Sequence, residues 1–288
     1  MDNSTNKKDK KDKRNKKNKK AWPLYALLAA SIVAVAIFSV LLGRELYTNW
    51  QSQSFYSELS SDIETRPQAT AAPRPSPTPG GTGAEDAGSG DSAPDEQEDA
   101  AFVPYMDFEA LGEKFPGVVG WIKLEGTAID YPIMHWTDND YFLGHLPDGT
   151  SHRSGSIFLD YRNSPDFMDK SILIYGHASR TQEMFGSLKN YRGQEYYDAH
   201  PHAYIYTPER DYALLFIAGY LVDSGTETPP MSFKDEEAFL KHIDDIKRRS
   251  FFRSDVVVGP DDRIVNLCTC AYDFDNARLI LVGKLVEI

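Results

Sequence analysis

Both cysteines of the 288-residue chain lie in one run, Arg263-Ile264-Val265-Asn266-Leu267-Cys268-Thr269-Cys270. The run alternates like a strand. Ile264, Asn266, Cys268 and Cys270 share one face, and Val265, Leu267 and Thr269 the other. Residues two apart on a strand have Cα atoms about 6.5–7 Å apart, at or beyond the reach of an easy disulfide. No wider cysteine framework exists, so disulfide stapling does not account for the pair. A buried small hydrophobe is one reading of each thiol; a nucleophile is the other. Arg278 follows Cys270 by eight residues, across a turn rich in Asp and Asn, and a hairpin of that length sets the two side by side. A guanidinium there favours the thiolate and offers donors to an oxyanion. The alternative is that Arg278 pairs with Asp273 or Asp275 at the surface.

A cysteine nucleophile needs an acid/base partner. The histidines are His135, His145, His152, His177, His200, His202 and His242. Only His177 stands at a telling place, directly after the apolar run Ser171-Ile172-Leu173-Ile174-Tyr175 and a turn glycine, Gly176. An imidazole at a strand end is well placed for chemistry. His200 and His202 flank Pro201 and read as loop residues; His242 falls on a predicted helix.

The elements that must carry these groups are short. Apolar runs at Val118–Leu124, Ala128–Ile133, Gly155–Leu159, Ser171–Tyr175, His202–Tyr206, Tyr212–Val222, Ile264–Cys270 and Leu279–Val286 alternate with turn residues. This pattern predicts an antiparallel barrel or sandwich. A short helix is expected at Asp107–Phe115. A second is expected at Ser232–Arg249, opening on a capping box at Ser232 and Asp235 and closing on Lys247, Arg248 and Arg249.

Charge is unevenly spread. Residues 1–20 carry a net +7 and residues 51–100 a net −8, so the overall −12 describes no single part. Residues 1–20 are expected to be a disordered cytoplasmic tail. Nucleic acid is not the expected partner of this basic run, because the next segment explains it. Residues 21–43 are apolar and uncharged, long enough to span a bilayer. They are too long for a cleaved signal peptide and lack its small-residue cleavage site. The positive-inside rule puts the lysines in the cytoplasm and the rest outside. Trp22, Tyr25, Tyr47 and Trp50 stand near the two ends as interfacial anchors. Residues 51–66 extend the helix a short way. Residues 44–100 as a whole form a linker whose later part is rich in Pro, Gly and acidic residues. The folded domain is expected at 101–288.

Over that domain the chain resembles the sortases, membrane-anchored cysteine transpeptidases of Gram-positive surfaces, and within them class B. Asn266-Leu267-Cys268-Thr269-Cys270 is similar to the nucleophile motif Thr-Leu-x-Thr-Cys. Ile174-Tyr175-Gly176-His177 and Met184–Leu188 are similar to the histidine region. Val119–Ile122, Ile129–Pro132 and Gly155–Asp160 also match, in order. Asn266 departs from the usual Thr, and Cys268 stands where class B often has Ser.

The resemblance implies a mainly β fold: an eight-stranded antiparallel barrel with an N-terminal helix and an inserted helix before the penultimate strand, preceded by one transmembrane helix. It implies Cys270 as nucleophile, His177 as acid/base and Arg278 as holder of substrate and oxyanion. The substrates would be secreted proteins bearing a C-terminal sorting signal. The acceptor would be an amine on a peptidoglycan precursor or a pilin lysine. No cofactor or metal is expected: Cys268, Cys270 and a lone His177 lack zinc-site spacing, and the acidic linker lacks that of a calcium loop. Two other readings stay open, a thiol peptidase that mainly hydrolyses and a non-catalytic membrane-anchored binding domain.

Overall fold

The computed structural model describes residues 5–61, 106–179, 181–270 and 276–288, with residues 5–24, 61 and 270 described by backbone alone. The described chain falls into two compact units, Met1–Phe55 and Tyr56–Ile288.

Helix α1 runs from Thr5 to Ser61. The basic run expected to be disordered is therefore helical from Thr5. Lysine is a good helix former, and no Gly or Pro interrupts residues 5–20. Between Tyr25 and Ser60 the helix is long and apolar enough to cross a membrane, with a mean hydropathy of 2.6 in its most apolar window. Leu27, Ile32, Phe38 and Leu41 all lie exposed along it. The proline- and glycine-rich part of the expected linker lies outside the described residues.

Strands β1 (Val118–Lys123), β2 (Asp130–Met134), β3 (Ile157–Leu159), β4 (Ser171–Tyr175), β5 (His202–Tyr206), β6 (Asp211–Asp223), β7 (Arg263–Cys270) and β8 (Ala277–Glu287) close into a barrel in the order β1-β2-β3-β4-β7-β8-β6-β5. Each strand overlaps one of the eight apolar runs. The pairing, however, is mixed rather than wholly antiparallel: β2–β3 and β4–β7 are parallel. Parallel neighbours need a crossover. Between β2 and β3 it includes a 3₁₀ turn at Tyr141–Leu143; between β4 and β7 it includes β5, β6 and two helices, α3 (Gln194–Ala199) and α4 (Glu236–Arg249). A bulge between Phe216 and Ala218 in β6 bends the longest pairing, with β8, so that the sheet can close.

The short N-terminal helix is α2, Phe108–Lys114, capped by Asp107, whose carboxylate accepts from Ala110 N. Helix α4 begins later than its capping box predicted. Asp235, not Ser232, is the N-cap, and it accepts from the Ala238 amide at 2.8 Å. An aspartate carboxylate satisfies an orphan amide of the first turn and favours the positive helix end. Phe239, Ile243 and Ile246 of α4 pack with Tyr220 and Val222 of β6, Ile264 and Cys268 of β7, and Ile280 and Val282 of β8. Lys247 and Arg249 then tie the helix end to the carbonyls of Val256 and Leu221.

Phe239 is fully buried in this cluster. F239A should lower unfolding stability by about 3–5 kcal/mol. Urea unfolding of the wild type and the variant checks it; an unchanged midpoint would deny α4 its role as the cover of β7.

Candidate active site

Strand β7 lies between β4 and β8, and its register with both brings the candidate residues together. Cys270 and Arg278 stand at directly opposed positions of the β7–β8 ladder. Opposed positions of an antiparallel pair share a face of the sheet. Arg278 is half-buried, and its Nη1 donates to the Ala277 carbonyl at 3.1 Å. The start of β8 is fixed by Asn276, which has φ +60°; its carbonyl accepts from both the amide and the hydroxyl of Ser224, after β6. Asp273 and Asp275, the other candidate partners of Arg278, lie outside the described residues.

On the other side, the parallel β4–β7 ladder pairs Tyr175 with Cys268. The Gly176 amide continues it by donating to the Cys268 carbonyl at 3.1 Å. His177 follows at once, so His177 and Cys270 each stand two residues beyond a paired position of adjacent strands. A side chain on Gly176 would overlap Ile157 and Phe185, so this crossing point requires glycine. His177 is half-buried, with Nε2 2.8 Å from the Leu143 carbonyl oxygen. A carbonyl only accepts, so Nε2 carries the proton and Nδ1 is the unprotonated nitrogen of the neutral ring.

Cys268 is buried in the apolar cluster beneath α4, in keeping with its parity on β7. Asn266 is also fully buried; its Nδ2 donates to Ser171 Oγ and the Ile172 carbonyl, cross-linking β7 to β4. The departure from Thr at this position thus serves the ladder rather than the chemistry. Of the other histidines, His145 and His200 stack on Tyr141 and Tyr196, and His242 lies beside Phe233, where burial lowers its pKa.

Two supports escaped the sequence reading. One is the Leu143 carbonyl, a backbone atom with no side-chain signature. The other is a buried network around Asp160, just beyond β3. Its carboxylate accepts from Arg162 Nε and Nη2 at 2.8 Å, from Asn139 Nδ2 at 3.1 Å and from the Tyr175 hydroxyl at 3.0 Å. It anchors the tyrosine two residues before His177. Asp160 falls in the Gly155–Asp160 motif, but its partners Asn139 and Tyr175, the latter at the end of β4, lie 21 and 15 residues away.

Burial pushes the Asp160 carboxyl up, but the hydrogen bonds from Arg162, Asn139 and Tyr175 outweigh it and hold the pKa at about 2, below the usual 3.8. A depressed folded-state pKa gives stability that is fully present above the unfolded value and is lost as pH falls through the folded one. The contribution, about 2 kcal/mol, should therefore disappear between about pH 4 and pH 2. D160N should flatten that limb of the stability–pH curve, measured by urea unfolding across this range.

No family model matches the chain. It is 35% identical to sortase B of Listeria monocytogenes over 171 residues, covering 59% of this chain and 70% of that protein. It is 31% identical to sortase B of Staphylococcus aureus over 183 residues, covering 63% and 75%. The fold matches a Staphylococcus aureus sortase B–substrate complex with a TM-score of 0.60, at 30% identity, over 63% of this chain and 85% of that one. It also matches a sortase B-like protein of Bacillus anthracis with a TM-score of 0.59, at 33% identity, over 63% and 83%. The β7 strand ending in Cys270, its arginine-bearing partner β8 and the histidine beyond β4 thus sit in a barrel that these proteins share, and the chain belongs to the class B sortases, a family of cysteine transpeptidases.

Proposed function

We propose that the chain cleaves a C-terminal sorting signal after its Thr and transfers the freed acyl group to an amine. The observation that carries this reading is the direct pairing of Cys270 with Arg278 beside the strand end that presents His177. The Cys270 thiolate attacks the scissile carbonyl, and the carbon–sulfur bond forms as the carbonyl electrons move to oxygen. Arg278 donates to that oxyanion. As the tetrahedral intermediate collapses, the carbon–nitrogen bond breaks and protonated His177 gives a proton to the leaving amine. The thioacyl-enzyme is resolved by an incoming amine, whose proton returns to His177 as the thiolate leaves. With Nε2 held by the Leu143 carbonyl, Nδ1 is the nitrogen that exchanges the proton.

The acceptor is an amine on a peptidoglycan precursor or a pilin lysine. Two solved relatives support the two halves of the reaction: one Staphylococcus aureus sortase B structure is a substrate complex, and another sortase B structure is a complex with triglycine. Residues 21–43 serve as the membrane anchor, with residues 1–20 cytoplasmic and residues 44–100 linking to an extracellular catalytic domain at 101–288. The exposed apolar side chains along α1 support an anchor rather than a core helix.

Incubating the protein with a library of sorting-signal peptides should give an acyl adduct on Cys270, detected by mass spectrometry. C270A should give none. H177A and R278K should each lower the acylation rate at least about a hundredfold, since a lysine cannot reproduce the guanidinium fork. Added amine should divert product from acid to amide. Hydrolysis indifferent to amine would favour the peptidase reading, and no adduct from folded protein would count against catalysis by Cys270.

A further inference from the structure

We propose that Tyr56, near the end of α1, is a positioning residue for His177. The proposal rests on the acid/base reading of His177. Tyr56 falls in the stretch expected to be linker, yet it is buried, as is Leu59 three residues later on the same helix face. Its hydroxyl donates to the Gly155 carbonyl at 3.0 Å. Its ring meets Tyr131 edge-on, with centroids 4.8 Å apart. Both contacts lead to His177.

The first route runs through the carbonyl that holds the imidazole. Gly155 has φ +55° and lies so close to the Phe142 and Leu143 carbonyls that a side chain there would overlap both. The neighbouring Ser156 amide donates to the Phe142 carbonyl at 2.9 Å. Leu143, next in line, accepts from His177 Nε2. By fixing Gly155, Tyr56 fixes the backbone that selects the histidine tautomer.

The second route runs through the loop that follows His177. The Tyr131 hydroxyl accepts from the Met184 amide at 3.1 Å. Met184 has φ +51°, a left-handed conformation that is strained for a residue other than glycine. Its bridge to Ala178 and the Phe185 amide's bond to the His177 carbonyl close this loop on the histidine backbone. Tyr131 holds the strained residue, and Tyr56 packs against Tyr131. One tyrosine therefore braces the group that grips the imidazole and the segment that carries it, using its hydroxyl for one and its ring for the other.

The test uses the full chain in detergent micelles, with histidine ring nitrogens labelled by ¹⁵N and His177 assigned by its loss in H177A. Thermal unfolding of each variant measures the folded fraction. In the wild type, His177 should show the Nε2–H tautomer and the Met184 amide should exchange slowly. Y56F keeps the ring contact, so it should broaden or shift the His177 ring signals while Met184 exchange stays as in the wild type. Y131F should do the reverse, speeding Met184 exchange about tenfold with the tautomer retained. Y56A should show both effects. The proposal is overturned if Y56A leaves both at wild-type values, or moves them only in proportion to its unfolded fraction. Neither readout depends on turnover. If H177A acylated as fast as the wild type, the acid/base reading would fall while the brace itself remained tested.

Discussion

The register of β7 between β4 and β8 is the constraint on which the site depends. The antiparallel ladder to β8 makes Arg278 the partner of Cys270, and the parallel ladder to β4 brings the chain out at Gly176 and His177 beside the same strand end. A slip of one residue in either ladder would send one of these positions to the opposite face. The register is held by polar bonds inside an apolar sheet. Asn266 donates from β7 to Ser171 and Ile172, and α4 covers the Cys268 face with Phe239, Ile243 and Ile246.

The parallel pairings are central to this arrangement. A fully antiparallel barrel could join β2 to β3 by a tight turn. The parallel pair forces a crossover, and that crossover brings the Leu143 carbonyl to His177. The crossover between β4 and β7 likewise supplies α4, which covers the strand ending in Cys270. The connections that break the simple antiparallel pattern thus supply the second layer of the site.

Support for the histidine comes from three directions: the Leu143 carbonyl on its ring, the loop ending at Phe185 on its backbone, and the Asp160 network on Tyr175 just before it. An imidazole at a strand end is half-exposed and would otherwise sample several rotamers. The Asp160 carboxylate is buried while its partner Arg162 reaches solvent, and through the Tyr175 hydroxyl it fixes the end of β4 from which His177 follows.

The eight strands, the α4 stripe and the apolar stretch of α1 were legible because each rests on local periodicity and composition. Cys270, His177 and Arg278 stood out because thiol, imidazole and guanidinium lay at the ends of apolar runs. The start of α4 was misplaced because Ser232 and Asp235 are both competent caps, and only packing chooses between them. The helical state of the lysine run was missed because its composition carries a signal for disorder as well as for helix. The parallel pairings, the Leu143 carbonyl and the contacts of Tyr56 left no mark in the linear pattern. They join atoms tens to a hundred residues apart, several of them backbone groups common to every residue. Residue type and local pattern thus identify the groups able to react and the strands that present them. Which nitrogen of His177 is held, and by what, follows from pairing order and loop closure, which three-dimensional packing settles.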